Sequence, residues 1–253
     1  MKLDVAPSTL SRIETGKGPA RTSYVEIMLD MYGIDDPQRQ RDLTGLAREG
    51  RRKGWWASYD DLLPRGTGEY LDMEADAREI RSFTVQTIPG LLQTADYAAA
   101  VIRASRPGLS TRQHDRLVTM TMRRQELSPG QRELHAVIDE SALLRTFGAA
   151  KVTAAQLDHL ASAAADPLIT IQVLRLTSPQ VLSPGFTILS FTDQADSDVG
   201  CGTADENQIS LTADDGELTR LRRTFTKLTE HAGTPARSAE LIGKLRTGGR
   251  RRP

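Results

Sequence analysis

The chain has 253 residues, with 33 Lys and Arg balanced by 33 Asp and Glu. That length allows one large domain, or a small one and a medium one, with enough apolar residues to bury a core. The single Cys201 excludes an internal disulfide and fits a reducing compartment. With no basic-then-apolar leader and no run approaching about 18 apolar residues, neither export nor membrane spanning is expected, and the chain reads as cytoplasmic.

The zero sum of charge hides an uneven distribution. Residues 1–56 carry 10 basic and 8 acidic residues, residues 186–217 carry 8 acidic and no basic ones, and residues 218–253 carry 10 basic and 2 acidic. An acidic stretch followed by a basic one suggests electrostatics within the molecule or with a partner more than a uniform DNA-coating surface. Of the cations 27 are Arg and 6 are Lys, a bias that fits a GC-rich bacterial genome.

Taken in order, the first element is a short helix in Ala6–Gly18, about two and a half turns at 3.6 residues per turn. Pro7 suits the first helical position and Gly16 the left-handed stop. Val5, Leu10 and Ile13 face inward, while Ser8, Ser11, Arg12 and Thr15 share the opposite face. Small hydroxyls and one long cation suit a helix lying in the major groove, where bulk would hold the backbone off. The alternative is an ordinary amphipathic helix with a solvated polar face. The pattern of Ser8, Ser11, Arg12, Glu14 and Gly16 resembles the recognition helix of xenobiotic-response-element (phage-repressor-like) helix-turn-helix regulators. That resemblance implies DNA binding through Ser8, Thr9, Ser11, Arg12, Thr15, Lys17 and Arg21, and a homodimer on double-stranded operator DNA. It also implies that Met1–Leu3 matches the end of the family's second helix, so the DNA-binding domain is expected to be incomplete at its start, with the usual arginine partner of Glu14 missing.

Thr22 or Ser23 can cap a helix running to Tyr32, with Val25, Met28, Leu29 and Tyr32 on one face and Gly33 at its end. Pro37 restarts a helix with a thin stripe of Leu43, Leu46 and Ala47 and with Arg48, Arg51, Arg52 and Lys53 at its C-terminal side, where cations suit the dipole. Trp55 and Trp56 are expected to anchor the small domain on the large one rather than to stack on bases.

Beyond them helices and strands alternate. Leu71–Ile80 reads as a helix, and Phe83, Val85 and Thr87 as an alternating strand before Pro89-Gly90. Thr94 and Ser110 cap helices running to Ser105 and Leu127. Residues 134–139 form a strand, Glu140–Phe147 a helix ended by Gly148, and Thr153 with Gln156 a capping box. Ile169, Ile171 and Val173 form a strand parallel to 134–139 through a crossover, and Phe186–Phe191 an antiparallel neighbour. After weak strands near Val199 and Ile209, a long helix buries Leu218, Leu221, Phe225 and Leu228. A last helix follows from Thr234–Pro235, then a basic tail at 247–253 that reads as disordered.

The block WWASYDDLLP, the run IPGLLQT (Ile88–Thr94) with Tyr97, RRQEL (Arg123–Leu127), VIDESALLR (Val137–Arg145), QLDHL (Gln156–Leu160) and ITIQVL (Ile169–Leu174) closely resemble the large C-terminal domain of unknown function found behind such helix-turn-helix segments in actinomycete regulators. The resemblance implies a small partner protein encoded nearby. The expected fold is α+β: an incomplete all-α helix-turn-helix domain at 1–54, and a mixed α/β regulatory or partner-binding domain at 55–246 whose sheet is covered by helices.

Enzyme chemistry is not expected. Asp193, Asp196 and Asp198 fail the calcium-loop spacing at Gly200 and Cys201. His114, His135, His159 and His231 have no zinc spacing, and nucleotide-binding and nucleophile motifs are absent. Asp139-Glu140 at a strand-to-helix corner could be an acid pair, though acids at a helix start are ordinary capping. No cofactor and no metal are expected. The reading is a sequence-specific bacterial transcriptional regulator, the alternative a truncated, non-DNA-binding protein that sequesters a partner.

Overall fold

The computed structural model describes residues 22–49, 54–127, 132–178, 183–191, 198–205 and 208–248. The chain divides into two compact units, Met1–Ala57 and Ser58–Pro253.

In the first unit, helix α1 (Thr22–Met31) packs against α2 (Pro37–Glu49). Leu29 is buried, whereas Tyr32, expected on the same face, is exposed. Gly33 (φ 67°) makes the left-handed turn, after which the Asp36 carboxylate accepts from the Gln38 N–H at 2.8 Å and so caps α2. Trp55 and Trp56 open a 3-10 helix, Trp55–Leu62, within which the boundary between the units falls.

The second unit is built on a six-stranded sheet. Its elements in order are α3 (Thr67–Asp76), β1 (Glu79–Thr84), a 3-10 turn Gly90–Leu92, α4 (Ala95–Ser105), α5 (Thr111–Glu126), β2 (Glu133–Asp139), α6 (Glu140–Leu144), α7 (Ala150–Ala163), β3 (Ile169–Leu174), β4 (Phe186–Ser190), β5 (Val199–Asp205), β6 (Gln208–Thr212), α8 (Asp215–His231) and α9 (Pro235–Gly248). The strand order is β3-β2-β1-β4-β5-β6, with β1, β2 and β3 parallel and the rest antiparallel. The α+β reading holds.

The register puts Phe83, Val137, Phe186 and Ile188 on one face, where Phe225 and Leu228 of α8 close over them with Leu174. Three of the four residues expected on the buried stripe of α8, Leu218, Phe225 and Leu228, are buried, and Leu221 is partly so. The opposite face carries Ile80, Ala136, Ile138, Ile171, Val173 and Leu189, all buried. The caps at Thr94 and Ser110 form as expected, the latter as a full capping box with Gln113.

Several boundaries differ from the sequence reading. Helix α3 ends at Asp76, and Ile80 instead lies in β1, fully buried between Leu134 and Leu189; the strand pattern expected at Phe83, Val85 and Thr87 therefore starts four residues early and stops at Thr84. Helix α6 stops at Leu144, short of Gly148. Strand β4 is antiparallel as expected but pairs with β1, on the far side of the parallel trio from β3. Thr153 is not a cap: α7 begins at Ala150 behind Ala149, which offers no side-chain bond, and the buried Thr153 hydroxyl has no partner. Thr247 and Gly248 belong to α9 rather than to the tail; residues 249–253 lie outside the described residues.

Candidate functional site

The expected DNA-reading residues Ser8, Thr9, Ser11, Arg12, Thr15, Lys17 and Arg21 lie outside the described residues, as do Glu14 and the Asp193–Asp196 part of the acidic loop.

The Ile88–Thr94 turn, the most distinctive run of the larger unit, is assembled by side chains from three helices. Gln93 Nε2 donates to the Ile88 carbonyl at 2.7 Å. Gln125 Nε2, from α5, donates to the carbonyls of Gly90 (2.9 Å) and Gln93 (2.8 Å). Gln156, from α7 and wholly buried, donates to Leu92 O at 2.7 Å and accepts from the Thr94 N–H at 2.7 Å. The Tyr97 hydroxyl meets the Ile88 N–H at 3.5 Å. A turn without regular structure would leave these groups orphaned in the interior, and the three glutamines answer them. The peptide turn is therefore scaffold, locked to α4, α5 and α7.

Beneath it lies a buried charge cluster. Glu74 of α3 accepts two hydrogen bonds from Arg124 of α5, at 2.9 and 2.7 Å, and a third from the Tyr70 hydroxyl at 2.5 Å. Arg132 donates to the Glu74 backbone carbonyl, and the Arg124 guanidinium lies over the Tyr70 ring, 5.8 Å from its centroid. Burial opposes ionisation of Glu74, but Arg124, Tyr70 and Arg132 outweigh it and hold the carboxyl below its usual range. Burial, then the neighbouring Glu74 charge, pushes Tyr70 well above the phenol range. Gly90 makes room for this pair, since a Cβ there would sit 3.2 Å from Arg124 Nη1. Neither Glu74 nor Arg124 stood out in the sequence as a pair, because the 50 residues between them carry no local signal; the acidic bias of α3 and the arginines of α5 were visible only as separate faces.

Several other polar groups that the sequence singles out are committed to structure in the same way. Asp139 caps α6 by accepting from the Ser141 N–H at 2.9 Å, and Glu140 accepts from Arg175 Nε and the Leu176 N–H, both at 2.9 Å. His114 meets the Arg106 carbonyl at 2.9 Å. His135 Nε2 lies 2.7 Å from Gln172 Oε1 and so carries the proton, and burial lowers its pKa. Burial and Glu74 push the Cys201 thiol up to about 12, which leaves it unreactive as a nucleophile. Among the described residues no three His, Cys, Asp or Glu gather into a metal-holding group, and no helix is long and apolar enough to cross a membrane.

This places an N-terminal segment with a DNA-reader's pattern ahead of an α+β unit held by a buried polar node. Residues 1–41 match a helix-turn-helix domain, the class of domain that binds DNA. Residues 67–244 match a domain of unknown function (DUF5753), and the chain belongs to that family. No curated protein matches the chain.

Proposed function

We propose that this protein is a sequence-specific DNA-binding transcriptional regulator that acts in the cytoplasm as a homodimer. The match of residues 1–41 to a helix-turn-helix domain carries this reading. Ser8, Ser11 and Arg12 meet base edges, Thr15, Lys17 and Arg21 meet phosphates, and Thr9 adds to the DNA contact. One short helix reads only a half-site, so two copies are required. The larger unit senses a signal or binds a partner protein. Catalysis has no part in this reading: the acid pair Asp139-Glu140 is spent on an amide cap and on the 175–176 segment.

The test is binding of the full chain to duplexes selected from a random pool. Arg12→Ala should cost about 1–3 kcal/mol on the selected duplex and blur the preference, while Lys17→Ala should weaken selected and scrambled duplexes alike and flatten the salt dependence. Equal losses on both duplexes for both variants would remove the base-reading assignment, and selection of no duplex would remove the regulator reading.

A further inference from the structure

The solvent face of α8 carries a row of exposed cations that neither the fold nor the proposed base-reading role uses. Helix α8 buries Leu218, Phe225 and Leu228 on the sheet. On the opposite side Arg220, Arg223 and Lys227 are all exposed and recur at three- and four-residue steps, so they form one stripe. Exposed threonines, Thr219 and Thr226, flank it. Several other cations of this unit have carboxylate partners: Arg222 with Asp198, Arg116 with Asp61, Arg175 with Glu140, Arg246 with Asp158 and Lys244 with Glu240. Among the described residues, Arg220, Arg223 and Lys227 have no ion pair. Like charges at these spacings destabilise a helix by a few tenths of a kcal/mol per pair, and nothing in the fold requires the cost.

We propose that this stripe is a second contact of the protein with DNA, made to the phosphate backbone and independent of base sequence. The inference rests on the regulator reading. From Arg220 to Lys227 the helix rises about 10 Å, roughly three nucleotides of one strand at about 3.4 Å each. Guanidinium, ammonium and hydroxyl groups are the side chains that phosphate contacts use. A protein partner is the poorer fit, because docking between proteins centres on apolar or aromatic anchors. The exposed large apolar side chains of the described residues are Met31, Tyr32, Leu127, Leu144 and Leu176, none of them on α8. Of the acids on α8, Glu217 lies three residues before Arg220 and Glu230 three after Lys227, one at each end of the stripe, while Asp215 lies off it by helical geometry.

The test measures affinity against salt for the full chain on a duplex selected by the wild type and on a scrambled one. The triple variant Arg220→Gln, Arg223→Gln, Lys227→Gln should lower the slope of log K against log salt by about 2–3, at about 0.9 for each phosphate no longer neutralised, with equal fold-losses on both duplexes. Arg223→Gln alone should give about a third of that, and Arg222→Gln, whose guanidinium is held by Asp198, none. A wild type that binds DNA with a triple variant of unchanged slope overturns the stripe and leaves the regulator reading standing. Loss confined to the selected duplex overturns it as well, since that is base reading. Retained DNA binding with lost affinity for polyglutamate would assign the stripe to an acidic protein and overturn it too. A wild type that binds no duplex overturns both this inference and the reading beneath it.

Discussion

Glu74 keeps its charge in the interior because every direction from its carboxylate ends on a donor, two from Arg124 and one from Tyr70. Removing one partner leaves the other uncompensated, so Arg124→Ala should lower stability by about 3–5 kcal/mol in urea unfolding, whereas an apolar replacement of both residues should cost much less. The carboxyl has a folded pKa below its unfolded value, so its contribution is present above the unfolded value of about 4.3 and is lost as pH falls through the folded pKa. Acid unfolding of Glu74→Gln should therefore show a shallower pH dependence below about pH 4 than the wild type, and an unchanged slope would count against the ion pair. Gln156 carries a comparable burden by a neutral route: Gln156→Leu strands Leu92 O and the Thr94 N–H, at roughly 1–3 kcal/mol each. The sequence offered Gln156 as half of a capping box with Thr153. Local spacing was correct and the role was not, because a demand 62 residues away, at the Thr94 amide, claimed the side chain. Thr94 and Ser110 read correctly because their partners, Tyr97 N and Gln113, lie three residues on.

Elements were legible wherever their period was long and their ends carried chemistry. The apolar steps of α8 and the caps of α4 and α5 fix those helices locally. Strand β1 was misplaced because Ala77–Ile80 fits a helical stripe as well as a strand, and only pairing with β2 and β4 decides between them. The start of α3 depends on a non-local fit of the same kind. Gly66 adopts φ 81°, the Ile209 N–H donates to Arg65 O at 3.0 Å, and a Cβ on Gly66 would lie 2.9 Å from the Ile209 carbonyl oxygen. This turn is how the chain before α3 closes the outer edge of β6. Gly66→Ala meets both left-handed strain and the contact with Ile209, which together should cost about 1–3 kcal/mol. Hydrogen exchange at the Ile209 amide should quicken by about 5- to 150-fold, since about 1.4 kcal/mol corresponds to a factor of ten. An amide no faster than in the wild type would show that the strand edge does not depend on this turn.

At the scale of the molecule, the strand order was the part no local pattern could supply. The parallel β2–β3 pair followed from two strands joined through helices, but the return of β4 to the far side of β1 rather than to the outer edge of β3 is set by contacts far apart in sequence, which no local pattern carries. The same logic identifies what α9 does. Strand β3 is the other edge of the sheet, and its exposed polar groups would template pairing with another chain. Helix α9 and the turn before it occupy that edge: the Val173 N–H donates to Ser238 Oγ at 2.9 Å, and the Gly233 N–H donates to the Val173 carbonyl at 2.9 Å. Ser238 and Ile242 are buried where α9 packs on β3 and α7. A chain ending at Ala232 loses both bonds and this cover, so it should aggregate in light scattering at concentrations where the full chain stays dispersed. Ser238→Ala removes one bond from a buried amide and should cost about 1–3 kcal/mol without aggregation, because the helix still covers the strand. If the shortened chain stayed dispersed and folded, the edge of β3 would need no cover, and α9 would be an appendage rather than the closing element of the sheet.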